Sequence, residues 1–559
     1  MTKLSEYELE REANIARNKL LLQQLELKQA VDGLGMPKGK VVKSAAKPVQ
    51  PAKKEKRKRE EIDQPRRHSA RLRKNVIDPN ETPAKRRKRE REEEAERQKV
   101  EEQRLSREEE ARKASRPRHN KLDIIALVEN GPEESSTLSK AMEAIPQGST
   151  ARVADYDAYV YDEKDSTEEE EAVSDLRERL NKLVVYGRAK VTKSRIYCAA
   201  YHPEVTKDLI FFGDKEGQLG IWDPRAPDEE DEEEGVMDEN KECGKYWRMQ
   251  LHWPANAKSS ISSIKFDPID AHNVYTSSYD STVRALSFTT GVSREVFASD
   301  NLICCIDLAQ SGHEMWLSDS EGWATHIDLR ESKNNTRSFA LSENKVGSIS
   351  INPTNPHFLA TASNSRVMRV WDVRKLDSIF LELSGESKSD STTTDVNSGI
   401  VTEFNQSDKG RGTLRGEWRH DKSVTAAFWD ARGRQIVSTS YDDNLRIWNL
   451  DPKGLKNEES FRSFRPSSGI RHNCQTGKWV TLLKAQWAQN PNVYPYFTIA
   501  NMNHSVDIYS GKGQLLANLS DPRRITAVQA VTCSHPNIVE RIATGNGSGR
   551  CVFWAPEDL

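Results

Sequence analysis

Ser438-Thr439-Ser440-Tyr441-Asp442-Asp443-Asn444-Leu445-Arg446-Ile447-Trp448-Asn449 is the stretch that decides the fold. A run of small residues enters an Asp turn, and an alternating segment leaves it and ends in Trp. Alternation of this kind marks a half-buried strand, and Asp-Asp-Asn supplies turn chemistry, so the stretch reads as a hairpin. The same template fits six more times, its terminal aromatic or aliphatic residue falling at Trp222, Leu286, Ile327, Trp371, Tyr509 and Trp554. With Trp448 included, successive positions lie 64, 41, 44, 77, 61 and 45 residues apart. Each copy follows a second apolar segment, as in Ile261–Asp267, Val346–Pro353 and Val424–Asp430.

A period of about 40–45 residues, lengthened where loops are inserted, is that of the WD40 repeat, one four-stranded propeller blade per copy. A lone blade cannot bury both of its faces, whereas seven closing on themselves can, and closure hides most strand edges. The expected fold class is all-β: a seven-bladed WD40 β-propeller over 175–559, preceded by a largely disordered, partly helical basic N-terminal region. The last copy ends at Trp554, so the ring must be closed by a strand from before the first copy. The apolar stretch Leu183–Lys193 is expected to be the outer strand of the last blade.

The chain has 559 residues, 30% of them charged, and its formal net charge of −2 conceals strong segregation. Residues 1–34 are expected to hold a helix, with Leu9, Ile15, Leu20, Leu21, Leu22, Leu25 and Leu27 among polar residues. It either packs on the propeller or docks in a partner's groove. Residues 35–120 form a basic tail with clusters Lys53–Arg59, Arg66–Lys74 and Lys85–Arg91. Over 35–88 apolar side chains are too few to support a fold. Such clusters read as nuclear import signals or phosphate contacts, against the plainer reading of a solvated tail, and a nuclear location is expected. The mixed Glu/Arg/Lys stretch from Arg89 to Lys113 suits an exposed helix held by ion pairs. Residues 121–174 are expected to be a linker.

Several function classes are disfavoured. No stretch is long and apolar enough to span a bilayer, so no membrane partner is expected. The seven Cys have no metal-ligand spacing and read as buried free thiols. No phosphate-cradling loop, metal cluster or nucleophile motif is visible, and Gly545–Gly549 reads as a turn. Neither a cofactor nor an enzymatic activity is expected.

Two sets of residues point to binding. In a propeller blade the innermost strand begins on the same face as the Asp turn. The residue just before it is, in turn, Arg195, Lys258, Asn301, Lys345, Lys422, Lys478 and Arg524. Six cations at one matched position focus a positive potential that suits a phosphate backbone; the plainer reading is that Lys is common in exposed loops. Tyr279, Tyr441, His472, Trp479 and His504 fall in or beside the turns of this face, where aromatic rings can stack on an unpaired base or wedge a duplex. Trp479 is expected to begin a buried strand. His472, in the polar loop Arg471–Lys478, is the better contact. The DNA-binding set is thus Arg195, Lys258, Lys345, Lys422, His472, Lys478 and Arg524.

On the opposite face three repeats end in similar fashion: Trp222-Asp223-Pro224-Arg225, Ile327-Asp328-Leu329-Arg330 and Trp371-Asp372-Val373-Arg374. Arg225, Arg330 and Arg374 offer planar charged contacts to an acidic partner, or pair with neighbouring Asp side chains. The insertions Asp228–Glu234 and Ser384–Ser407 leave from this face and are expected to be disordered.

The layout resembles a known family. Its marks are Tyr7-Glu8-Leu9-Glu10-Arg11-Glu12-Ala13-Asn14-Ile15-Ala16-Arg17-Asn18, then Arg67-His68-Ser69-Ala70-Arg71-Leu72 in the basic tail, then seven repeats. This is similar to the fungal DNA damage-binding WD-repeat proteins of the Cmr type, counterparts of animal WD repeat-containing protein 76, over essentially the whole chain. Ser277–Arg284 and Ile470–Asn473 are also similar to the small subunit of the UV-damaged-DNA-binding complex. The resemblance implies DNA binding in the DNA damage response or DNA metabolism. In that subunit a hairpin at the place of His472–Lys478 carries intercalating residues; here the loop has no bulky apolar wedge. The Trp-Asp-x-Arg-like ends resemble those of receptors that dock on the propeller adaptor of a cullin-4 ubiquitin ligase. The rival reading is therefore an interaction scaffold, a cullin-4 substrate receptor or a reader of histones and chromatin, with no direct DNA contact.

Overall fold

The computed structural model describes residues 119–146, 155, 157–161, 166–227, 242–331, 336–384, 393–457 and 459–557. The expected N-terminal helix, the basic tail up to 118 and the acidic run 228–240 lie outside these residues.

Seven antiparallel units of four strands follow one another around a ring, as expected. Their innermost strands are Ile196–Tyr201, Ile261–Phe266, Ile303–Leu308, Val346–Ile351, Val424–Trp429, Gln486–Trp487 and Val531–Ser534, which define blades 1 to 7. Blade 5 contains the opening stretch. Its second and third strands, Gln435–Ser440 and Asn444–Asn449, pair with Ser440 opposite Asn444 and Ile436 opposite Trp448. Asp442 Oδ1 accepts from the Asn444 amide at 3.2 Å, and Asp443 takes a φ of 59°, a conformation that short polar side chains tolerate.

The second strand of a blade is buried on both sides because neighbouring blades stack against it. Gln435–Ser440 and Phe358–Ser363 are buried at every position. That is why these strands read as runs of small residues rather than as alternation. Gly213 shows the tightness: a Cβ there would lie 2.7 Å from Ile261 of the next blade.

The ring closes as expected. Val184–Lys190 pairs antiparallel with Arg550–Ala555, Val185 opposite Trp554, and completes blade 7. A strand from before the first blade thus covers the edge of the last.

Residues around the ring are more ordered than their composition suggests. Lys121–Asp123 adds a fifth strand to blade 2. Helix α1 (Pro132–Glu143) buries Leu138 and Met142 against Trp247 and Met249 of blade 1. Helix α2 (Ser166–Asn181) buries Val173, Leu176 and Leu180, a spacing of three and four that makes one stripe, against Leu516 and Leu519. The stretch expected as a linker therefore carries packed elements. The insertion Ser384–Ser407, expected to be disordered, supplies a strand Thr393–Val396 that pairs parallel with Thr336–Ala340 of blade 3. It also supplies helix α4 (Ser398–Gln406), following helix α3 (Val373–Ser384). Val396, Val401 and Phe404 pack with Leu376, Ile379 and Phe380 of α3. A few apolar residues at helical spacing suffice for a small core in an otherwise polar insertion.

Candidate nucleic-acid interface

Antiparallel pairing brings the start of each innermost strand beside the turn between the second and third strands. In blade 1 Ile196 lies opposite Asp214, and the Lys215 amide donates to the Arg195 carbonyl at 2.8 Å. The same contact recurs as Tyr279 to Ser260, Asn364 to Lys345 and Tyr441 to Ser423. In these blades the matched positions of the sequence therefore open on one face of the ring.

The cations of this face have distinct environments. Arg195 lies 5.9 Å over the Tyr197 ring and donates from Nη1 to the Lys478 carbonyl at 3.2 Å. Lys345 lies 5.1 Å over the Tyr279 ring, and its Nζ donates to Tyr279 Oη at 3.2 Å. Burial disfavours the Lys345 charge, but Tyr279 and Cys304 more than offset it and raise its pKa above the usual lysine value, so it stays a cation. Lys258 sits in a single turn, Ala257–Ser259, capped by Asn256, with its side chain in solvent. Lys422 and Lys478 are exposed. Asn301 is the neutral member, donating to Asp319 at 2.8 Å.

Arg524 departs from the expected set. Its Nη1 donates to the Val185 carbonyl at 2.9 Å, and the Arg524 carbonyl accepts from Arg188. Both partners belong to the outermost strand of blade 7. The innermost strand there begins only at Val531, so Arg524 is held at the rim and away from the channel mouth.

The loop before blade 6 is also longer than the spacing implies, because its innermost strand begins at Gln486. Thr481 Oγ1 donates to the Ile196 carbonyl at 2.6 Å, and Thr425 Oγ1 donates to that of Leu483 at 3.1 Å. The loop thus reaches from blade 5 to blade 1 over the channel. Beneath it lies a cavity of about 240 Å³ whose walls include Cys198, Cys305, Cys533, Leu482 and Lys484. Burial pushes the Cys198 thiol up to about 12 and the Cys533 thiol higher still, so both remain protonated and unreactive. All seven cysteines are free.

His472 and Trp479 exchange their expected roles. His472 is 4% exposed; its Nε2 donates to the Ala500 carbonyl at 2.9 Å and its Nδ1 lies 3.4 Å from Asp507. Both ring nitrogens serve the core, so the ring cannot meet a ligand. Trp479 is 72% exposed, with Lys478 Nζ 5.5 Å from its ring. An indole in water beside a lysine on a basic face is placed to stack on a base. Leu302 and Leu482 are also exposed there. Tyr441 donates or accepts with Thr476 at 3.0 Å, and His504 is exposed at the tip of a turn. Tyr197, under Arg195, and Lys484, in the cavity wall, lie outside the set expected from the sequence. Tyr197 stands two residues from Arg195, the strand spacing that puts side chains on one side, and that signal was available.

On the opposite face the three arginines pair within their own surroundings. Arg330 holds Asp328 through two bonds, Nε to Oδ1 at 3.0 Å and Nη2 to Oδ2 at 2.6 Å. That contact holds the Asp328 carboxyl down at about 2. Arg374 holds Asp372 in the same way, at 3.0 and 2.7 Å. Arg225 instead reaches Asp208 at 3.2 Å. The two-pronged edge of Arg330 and Arg374 is thus already engaged.

Seven antiparallel four-stranded blades with repeat ends of this form define a WD40 propeller, and the family described as "WD domain, G-beta repeat" matches residues 334–372 and 412–449. The chain is 37% identical to the DNA damage-binding protein CMR1 of Cryptococcus neoformans, over 79% of this chain and 82% of that one. It is 31% identical to the protein of that name from Mycosarcoma maydis over the whole of both chains, and 32% identical to that of Phaeosphaeria nodorum over 99% and 98%. The chain belongs to this CMR1 family.

Proposed function

We propose that this protein is a non-catalytic, nuclear DNA-binding propeller of the DNA damage response, and that it holds DNA on the face carrying Arg195, Lys258, Lys345, Lys422 and Lys478. The relatives' name, DNA damage-binding protein, supports the coarser part of this reading. The observation that carries the finer part is Trp479, exposed to solvent amid these cations. Lysines attract the phosphate backbone without regard to sequence, while an indole rewards a base that has left its stack. The combination favours DNA with unpaired or weakly stacked bases over intact duplex. The basic clusters of the tail suit nuclear import. The scaffold reading loses support, because the forks of Arg330 and Arg374 are occupied by Asp328 and Asp372.

Binding of the full chain to intact duplex, UV-irradiated duplex and single strand, over a range of salt, tests the reading. Replacing Lys345, Lys422 and Lys478 together by Glu is expected to weaken binding to all three. Each phosphate that is no longer neutralised flattens the slope of log affinity against log salt by about one unit. If the triple variant matches its parent at every salt concentration, the face is ordinary surface charge and the reading fails.

A further inference from the structure

Among the described residues, part of the outer edge of blade 2 is unpaired beside an acidic groove. Lys121–Asp123 runs antiparallel along the outer strand Val292–Ala298, with Lys121 opposite Arg294 and Asp123 opposite Val292. Immediately upstream, the Asn120 carbonyl accepts from the Glu295 amide at 2.8 Å, and the His119 carbonyl accepts from the Arg284 guanidinium. Followed towards its N-terminus, the chain is heading along the strand towards Ser299. Beyond Glu295, no strand among the described residues pairs with the outer edge of Phe297 and Ala298. A groove of about 560 Å³ opens there between blades 2 and 3. Its walls include Glu295, Asp300, Asp319 and Asp395, together with Phe297 and Trp323, and they include no Lys, Arg or His. Asp300 and Asp395 are exposed.

An open strand edge is a template for one more strand, and an acidic wall selects a cationic one. The residues just before the described chain are Arg112-Lys113-Ala114-Ser115-Arg116-Pro117-Arg118, four cations with no carboxylate. We propose that Arg112–Arg118 continues the strand Lys121–Asp123 along blade 2 and seats its cations in this groove. The existing register carries Arg118 opposite Phe297 and Arg116 opposite Ser299, next to Asp300. Pro117 has no N–H to give, which an outermost strand tolerates on its solvent side. Because the segment is tethered at His119, docking is intramolecular and needs little intrinsic affinity. The cations of the channel mouth would repel the same segment, so charge directs it to this groove. The inference does not depend on DNA binding and is tested without DNA.

Hydrogen–deuterium exchange on the full-length protein reads the docking directly. The amides of Ala114, Arg116 and Arg118, which face the strand in this register, are expected to exchange roughly tenfold or more slowly than in an unstructured chain. That protection falls as salt is raised towards about 1 M, because the attraction is screened. It also falls in the double variant Asp300→Lys, Asp395→Lys, while amides of the innermost strand Ile303–Leu308 stay protected. If that variant does not fold, the salt series on the unaltered protein decides. Exchange of 112–118 at the unstructured rate in low salt overturns the proposal, as does protection indifferent to salt and to charge reversal. A third outcome also overturns it: 112–118 unprotected, with an added Lys/Arg-rich synthetic peptide slowing exchange at Phe297–Asn301. The groove would then serve a partner in trans.

Discussion

His472 and Trp479 stand seven residues apart in one loop, and their environments separate structure from binding. His472 satisfies a buried carbonyl and faces Asp507, so His472→Ala leaves acceptors unmet and is expected to cost about 1–3 kcal/mol of stability. Trp479 packs little area, so Trp479→Ala is expected to leave stability within about 0.5 kcal/mol. It is expected instead to cost about 1–3 kcal/mol of single-strand affinity, the worth of one stacked base. Urea unfolding and binding measured on both variants check the contrast; equal binding losses would refute it. Buried histidines also set the acid response. Burial, then repulsion from Arg446, holds His420 down at about 4, and burial, then repulsion from His272, holds His202 at about 3. Both are neutral when folded and take a proton when unfolded below about pH 6.5, so stability is full above that pH and is lost as pH falls towards 4. Asp214, raised by burial to about 6, acts in the opposite sense between about pH 4 and 6 and offsets part of the loss. The melting temperature is expected to drop over pH 6.5 to 4, and His420→Gln to shallow the drop.

Helix α2 and the strand Val184–Lys190 act together, since the helix leads straight into the strand that closes the ring. The apolar stripe of α2 covers the outer strand of blade 6 while its neighbour seals blade 7. Glu169 at the start of α2 accepts from Tyr494 at 2.7 Å and pairs with Lys512; Arg179 near its end pairs with Glu540 at 2.5 Å. These contacts to blades 6 and 7 make α2 a brace across the closure. Leu176 is 2% exposed, and Leu176→Ala is expected to cost about 2–4 kcal/mol with DNA affinity unchanged. A urea midpoint unmoved by this variant would mean that the closure does not rely on the brace.

For the whole molecule, opposite charges gather in different places although the net charge is only −2, the acidic groove adjoining the mouth at blade 3, where Asn301 stands in place of a cation. The mouth collects lysines, and the groove between blades 2 and 3 collects carboxylates. The folded body also begins earlier than composition implies, because Ile124, Leu127, Leu138 and Met142 share a core with blades 1 and 2. Limited proteolysis is therefore expected to leave a resistant product that retains 119–146 with the propeller. A product beginning near residue 175 with that segment lost would show that it is not held.

The sequence by itself determined the number of blades, the positions of the terminal Trp and aliphatic residues, and the strand that closes the ring. These follow from local period and turn chemistry, which each repeat states independently, and from the need to cover the last edge. Because direction alternates through the four core strands of a blade, the start of the innermost strand and the turn after the second strand share a side, which the sequence also implies. Only the tertiary structure decided how far each loop reaches. Lys478 and Arg524 take the matched position in the sequence, yet Lys478 is exposed beside Trp479 and Arg524 is tied to the outermost strand of blade 7, since their loops run on to Gln486 and Val531. Likewise only packing could bury His472 and leave Trp479 in water, and fold Val396, Val401 and Phe404 into a core inside a polar insertion. Exposure is a property of what lies across from a residue, and those neighbours come from blades far away in sequence.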